Sequence, residues 1–198
     1  MTRQFVVVGH DAPTDAEFSL DDLPGAGRLD VLCRCVTAAF LLSHDIREDV
    51  RVTLVLADEY ALTFEGGSLR RLNPDEHSTA ALIRTALAKR TEAVGHMSVE
   101  TSPGIAIDRR DFEQVLADVA DDGTLIHLDA DGQPAVEIDP PAKPVFLLSD
   151  HRDFTESERQ TIDAVADERV SLGPRPLHGD QAITVAHNWL DTDGFLRW

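Results

Sequence analysis

Apolar positions along the chain recur with two periods, and the switches between them mark out its elements. Continuous or alternating β-rich runs predict strands at Gln4–Val8, Val50–Ala57, Ile105–Ile107, Thr124–Leu128, Pro144–Leu148 and Val170–Leu172. Leu29, Leu32, Cys33, Val36, Phe40 and Leu41 fall at helical spacing and predict a helix from Leu29 to about Ile46. Tyr60–Leu72 carries Gly66-Gly67 between two short apolar stretches, a hairpin signal. Pro74 opens a second helix at its first turn, with Asp75 and Glu76 near the positive end of its dipole, and this helix runs to about Arg90. Asp111 starts a helix to about Ala120, and Thr155 caps another with Glu158 at the capping-box position. A last helix follows the loop Gly173–Gly179 and runs to about Leu190. Segments Gly9–Gly27, Thr101–Gly104 and Asp129–Gly132 are rich in turn formers and read as connections.

Strands alternating with helices predict an α/β fold with a mainly parallel sheet flanked by helices. No repeat, low-complexity tract or composition break divides the chain, so residues 1–198 are read as one domain. Apolar runs stay well short of the ~20 residues that a membrane span needs. The start, Met1-Thr2-Arg3-Gln4-Phe5, leads straight into a strand without the apolar core of a signal peptide. The expectation is a soluble, cytoplasmic protein. Cys33 and Cys35 sit two apart on a predicted helix and point in different directions, which favours core packing over a disulfide or a shared metal.

Charge changes the picture. The formal net charge is −18, from 24 Asp and 12 Glu against 16 Arg and two Lys. Alone, that balance argues against a polyanionic partner, which normally meets a basic surface. Scarce lysine with abundant aspartate along the whole chain also fits adaptation to concentrated salt. At molar salt the Debye length is ~3 Å, so global repulsion fades and direct contacts decide binding.

In open parallel sheets ligands bind beyond the carboxyl ends of strands. Three such ends in the second half carry small residues, free backbone groups and apolar side chains: Leu128 into Asp129–Gly132, Leu148 into Ser149-Asp150-His151, and Leu172 into Gly173–Gly179. Together they suit a flat ring with a polar tail. Asp150-His151 reads as a catalytic pair, half a metal site, or a strand-end aspartate capping a loop. His127, His178 and His187 lack the spacing of zinc ligands, and no G-x-S-x-G elbow surrounds Ser149 or Ser171. A second candidate is Leu23-Pro24-Gly25-Ala26-Gly27-Arg28-Leu29-Asp30, a Gly-rich loop delivering Arg28 and Asp30 to a helix start. Asp30 there either caps the helix and pairs with Arg28, or fixes an N–H while Arg28 grips a phosphate or base edge. Arg34, one turn on, extends that face.

Residues 23–35, followed by Leu42-Ser43-His44-Asp45-Ile46-Arg47, resemble the N-terminal signature of the archaeal TrmY family, tRNA pseudouridine N1-methyltransferases of the SPOUT superfamily. Ser102-Pro103-Gly104-Ile105 and Ser171-Leu172-Gly173-Pro174 with Leu177-His178 are similar to two further motifs of that family, in the same order. The resemblance implies a SPOUT-type sheet with a C-terminal trefoil knot, a homodimer, and S-adenosyl-L-methionine-dependent N1-methylation of pseudouridine at position 54 of tRNA. It implies cofactor contacts from Leu128, Ser149, Ser171, Leu172, Gly173, Leu177, Ala182 and Ile183. Three positions depart from the family pattern: Ser149 stands where Gly is common, Gln181-Ala182 where His-Cys is common, and Gly173 replaces a common Ser. A cysteine nucleophile at residue 182 is therefore impossible here.

Within that frame Asp30 orients or accepts the N1 proton and Arg28 stabilises the negative base, while Arg34, Arg109 and Arg110, or Arg70-Arg71, grip the T-arm loop of tRNA. No metal and no membrane enter this scheme. Competing readings are a ribosomal-RNA pseudouridine methyltransferase, a metal-dependent hydrolase using Asp150, His151 and His178, and a non-catalytic RNA-binding module.

Overall fold

The computed structural model describes residues 2–95 and 97–197. Among these, eight strands form one sheet: β1 (Arg3–Gly9), β2 (Val50–Leu56), β3 (Tyr60–Glu65), β4 (Val99–Ser102), β5 (Ile105–Asp108), β6 (Thr124–Pro134), β7 (Pro144–Ser149) and β8 (Glu168–Ser171). Their order is β4-β5-β3-β2-β1-β7-β6-β8. The half from β2 through β8 pairs in parallel, and β3, β5 and β4 extend the other edge antiparallel. The expected parallel sheet is thus the half that carries the second-half strand ends.

The period of two explains how both faces are covered. Phe5 and Val7 of β1 join Phe146 and Leu148 of β7 on one face, while Val6, Val8, Val145 and Leu147 point to the other. Helices α1 (Leu29–Phe40), α2 (Glu76–Ala88) and α5 (Gly179–Asp191) cover the first face. Helices α3 (Phe112–Asp122) and α4 (Glu156–Val165) cover the second. Phe5 stacks on Phe146 at 5.2 Å, and Trp189 of α5 meets Phe146 edge-on at 6.3 Å, which seats α5 on the sheet centre.

Four local expectations shift. The first helix ends at Phe40, six residues early, because Leu41 turns extended and Leu42 N–H donates to the Asp45 carbonyl in a tight turn. Its polar Ser43-His44-Asp45 tip has no core to face. The hairpin turn lies at Ala57-Asp58, both with positive φ, joining β2 to β3, while Gly66-Gly67 only ends β3. Asp75, rather than Pro74, begins the second helix: its carboxylate accepts from Ser78 N–H at 2.6 Å as the N-cap. Two segments expected as connections carry strand instead: Thr101-Ser102 ends the edge strand β4, and Asp129–Gly132 lies within β6. Both capping signals read from the sequence close as drawn, at Asp111 with Gln114 and at Thr155 with Glu158.

Candidate functional site

Beyond the carboxyl ends of β7 and β8, and beside residues His127–Asp131 of β6, lies a cavity of about 900 Å³. One wall is apolar, from Val31, Leu128, Leu148, Leu172, Leu177 and Ala182. The rest is charged: six of the sixteen arginines, Arg28, Arg34, Arg152, Arg159, Arg169 and Arg175, line it against four aspartates. In a chain of net charge −18, the cavity lining is of opposite sign to the whole.

Two loops and the middle of β6 build the floor. The loop after β7 is closed by Ser149, whose hydroxyl donates to the Arg152 carbonyl, and by Asp150, which accepts from Arg152 N–H at 2.8 Å. The Ser149 hydroxyl is therefore spent on the loop itself. In the loop after β8, a Cβ at Gly173 would meet nothing within 4 Å, so the backbone there is open to a ligand. Gly179 begins α5 against α1, where a Cβ would come within 3.0 Å of Cys35 Sγ. Gln181 closes back on this helix start, its amide oxygen accepting from His178 N–H at 3.2 Å.

The N-terminal loop reaches the same cavity from the α1 side. Gly27 has φ +59°, and a Cβ on it would strike the Asp11 carbonyl oxygen at 1.7 Å. Arg28 follows in the same left-handed conformation, φ 59°, which costs a non-glycine residue roughly 1–2 kcal/mol. Its guanidinium donates to both oxygens of Asp30, at 2.9 and 3.0 Å. Arg34 adds a third bond to Asp30 at 3.0 Å and another to Glu76 at 3.1 Å. Asp30 is buried and makes no cap bond to the helix. The bonds from Arg28, then those from Arg34, outweigh burial and hold its carboxyl below the usual range. Such a carboxylate is a weak base. It fixes the Arg28 fork rather than waiting for a proton.

Six of the eight cofactor residues named from the resemblance line this cavity: Leu128, Ser149, Leu172, Gly173, Leu177 and Ala182. Ser171 does not, since it pairs with Pro134 in the sheet, and Ile183 is fully buried in the core beneath Ala182. Adjacent helical positions differ by about 100°, so Ala182 and Ile183 cannot share a surface. Arg28 and Arg34 line the cavity, whereas Arg109 and Arg110 do not. Arg110 is held by Asp108 at 2.6 and 2.8 Å and by Asp118 at 2.7 Å, leaving little of its fork for a phosphate. Arg109 lies exposed, 3.6 Å from Glu59.

Sequence reasoning passed over His10, Arg152, Arg159, Arg169 and Arg175. His10 stands at the end of β1, a strand end that carried the same positional signal as the other three. His127 also lines the cavity, with Nδ1 buried and without a hydrogen-bond partner among the described residues, and burial lowers its pKa. Among the described residues no three His, Cys, Asp or Glu side chains converge as a metal ion would require. His187 lies in the core, its Nε2 at 3.0 Å from the Ala39 carbonyl and its Nδ1 at 3.1 Å from Arg3 Nη1. Both cysteines are buried, and burial pushes the Cys35 thiol up to about 12.

Residues 2–195 match the family model described as "Putative SAM-dependent RNA methyltransferase". A Haloarcula marismortui protein named tRNA (pseudouridine(54)-N(1))-methyltransferase is 66% identical over 197 residues, covering 99% of this chain and 100% of that relative. Its namesake from Haloferax volcanii is 64% identical with the same coverage, and one from Methanococcoides burtonii is 41% identical, covering 96% of each chain. The fold is similar to that in a crystal structure of Archaeoglobus fulgidus Nep1 bound to S-adenosylhomocysteine. That likeness has a TM-score of 0.64 over 93% of this chain and 94% of the other, at 13% identity, and concerns the fold alone.

Proposed function

The chain belongs to this family of SAM-dependent RNA methyltransferases, and from that premise we propose that it transfers a methyl group from S-adenosyl-L-methionine to N1 of pseudouridine 54 in tRNA. The carrying observation is one cavity that joins an apolar, open-backboned wall to an arginine-lined rim. The relatives of the same length that bear this activity in their names support the substrate.

The residues fit the cofactor. Leu128, Leu172, Leu177 and Ala182 offer apolar surface to a purine, and the open backbone at Gly173 offers hydrogen-bonding groups. S-adenosyl-L-methionine supplies an already activated methyl group, which leaves the chain to bind, align and manage one proton. Arg28, aimed by Asp30, stabilises the negative charge that develops on the base as N1–H is lost. Asp30 acts by orienting Arg28; its depressed pKa disfavours it as the proton acceptor. The cavity-lining arginines, Arg34 among them, hold the RNA backbone, and exposed Arg109 is a further contact.

This reading carries with it the homodimer, the cytoplasmic location, a single domain and the C-terminal trefoil knot. The knot is supported by how tightly the chain folds over β8. Val170 registers with both Leu128 and Gln133, and a Cβ on Gly132 would lie 2.6 Å from its carbonyl carbon. Exposed Leu177 at the cavity mouth offers apolar surface for a second copy to cover.

Calorimetric titration with S-adenosyl-L-methionine, followed by methylation of pseudouridine-containing tRNA, tests the proposal. Absence of binding heat and of thermal stabilisation in concentrated salt would defeat it. Equal methylation of a ribosomal-RNA fragment would move the substrate. The acidic surface is read as salt adaptation, so the melting temperature rises from dilute buffer to molar KCl; salt-independent melting rejects that part.

A further inference from the structure

His10 has no part in the chemistry above and does not itself line the cavity, yet both of its ring nitrogens meet carboxylates of the segment that does. Its Nδ1 lies 3.0 Å from Asp150 Oδ1 and its Nε2 lies 3.1 Å from Glu158 Oε2, while its backbone N–H donates to Asp150 Oδ2 at 2.8 Å. A neutral imidazole has one donor and one acceptor nitrogen, so one of these contacts would set a lone pair against a carboxylate. Two carboxylates satisfy both nitrogens only if the ring is an imidazolium. The Asp150 side chain is 1% exposed, and among the described residues no arginine or lysine side-chain nitrogen lies within 4.0 Å of the carboxylate of Asp150 or Glu158. His151 is the other basic group near Asp150, at 3.6 Å. Neighbouring Asp11 is paired with Arg152 at 2.7 Å, and Phe154 presents its ring edge-on to His10. His10 is thus the principal counter-charge of a buried carboxylate.

The two acids sit at opposite ends of one segment. Asp150 leaves β7, and Glu158 holds the start of α4 through Thr155 N–H at 2.7 Å. Residues 149–154, at the β7 end of this segment, all line the cavity.

We propose that His10 is a positioning residue: bridging Asp150 and Glu158 as an imidazolium, it clamps the wall of the methyl donor's cavity, so that donor binding depends on a proton held at His10. This rests on reading the cavity as the donor's. Burial opposes a charge on His10, but the bonds to Asp150 and Glu158 outweigh it and raise its pKa above the ordinary value. The clamp is therefore complete below that raised pKa and lost as pH rises through it.

The test measures S-adenosylhomocysteine affinity by calorimetry from about pH 6 to about pH 9, a range spanning histidine titration from its ordinary pKa upward. Wild-type affinity should weaken roughly tenfold with rising pH, the change that one unit of coupling between proton and ligand produces. His10→Gln should bind weakly with that component of the pH dependence gone, which also separates it from titration of the ligand's own amine. Glu158→Gln keeps a capping-box residue while removing one charge, and should move the midpoint to lower pH. A wild-type profile in His10→Gln, or an unmoved midpoint in Glu158→Gln, would overturn the proposal; the second variant decides alone if the first fails to fold. Should the wild type bind no S-adenosylhomocysteine at any pH, the cofactor reading fails instead. Hydrogen exchange at residues 149–155 then judges the clamp: protection falling with pH in the wild type but not in His10→Gln upholds it, and unchanged protection rejects it.

Discussion

His10 and His187 mark the two ends of the parallel sheet, and their surroundings have opposite electrostatic sense. His10, at the carboxyl end of β1, lies between two carboxylates. His187, at the amino end, has Arg3 on one nitrogen and the Ala39 carbonyl on the other, with Arg47 nearby. Both side chains are largely buried, so burial alone cannot decide their charge. Partners do: burial together with Arg47 and Arg3 lowers the His187 pKa to about 4, whereas two carboxylates raise that of His10. The amino end, where Asp191 joins Arg3 at 2.7 Å and Arg47, pins α5 to β1 with a neutral ring. The carboxyl end sets its charges around an open cavity, where five of the six lining arginines meet a carboxylate within 4.0 Å and Arg175 does not, among the described residues.

The largest expected effect breaks this comparison with acid. Below its unfolded pKa near 6.5, His187 takes up a proton in the unfolded chain that the folded chain refuses, so stability falls from about pH 6.5 toward pH 4. Denaturant titrations of wild type should lose on the order of 3 kcal/mol from this group over that window. His127, also lowered, adds to the same slope, so the reading is the difference between wild type and His187→Gln. An identical slope in the variant removes His187 from the account. The His10 contribution has the opposite sense and is lost only as pH rises.

At the cavity end, Asp30→Asn should cut methylation about 100-fold, the scale of losing one oriented electrostatic group. Donor affinity should stay close to wild type, since Asp30 is outside the cavity lining. Full activity would sink the role of the Arg28–Asp30 pair. A smaller change separates free from committed arginines. Arg175, exposed in the cavity-lining loop after β8, has no carboxylate within 4.0 Å among the described residues. Arg175→Gln should weaken tRNA binding by about tenfold, within the range for a lost charge-assisted bond. Arg110→Gln, whose guanidinium is already held by Asp108 and Asp118, should leave tRNA affinity unchanged. Filter binding of both variants checks this pair. Smallest is Thr155→Ala, which removes one cap of α4 and should cost about 1 kcal/mol in a thermal melt.

Much of the fold was legible because local rules decide it. Strands β1, β2 and β7 carry continuous buried runs, and Asp111 and Thr155 cap helices through contacts spanning three residues. The Gly66-Gly67 signal does not mark the hairpin, because Ala57-Asp58 accepts positive φ in the tight connection between β2 and β3. In the site, strand-end position pointed to the three second-half loops, and the Arg28-Leu29-Asp30 spacing pointed to the rim. It did not distinguish a residue on the cavity side of a helix, Ala182, from its buried neighbour Ile183.

The set of elements, the kinship and the side chains available near the strand ends therefore follow from local patterns of the chain. Those depend on neighbours within a turn or a pleat, or on ordered motifs. Which charges are spent and which are free was decided only in three dimensions. His10 meets Glu158 across 148 positions of chain, and Arg3 meets Asp191 across 188. Asp108 takes Arg110 out of reach of a ligand while Arg175 stays open. A guanidinium or imidazole looks the same in any sequence. Its charge state and its availability belong to the partners that folding brings within about 3 Å.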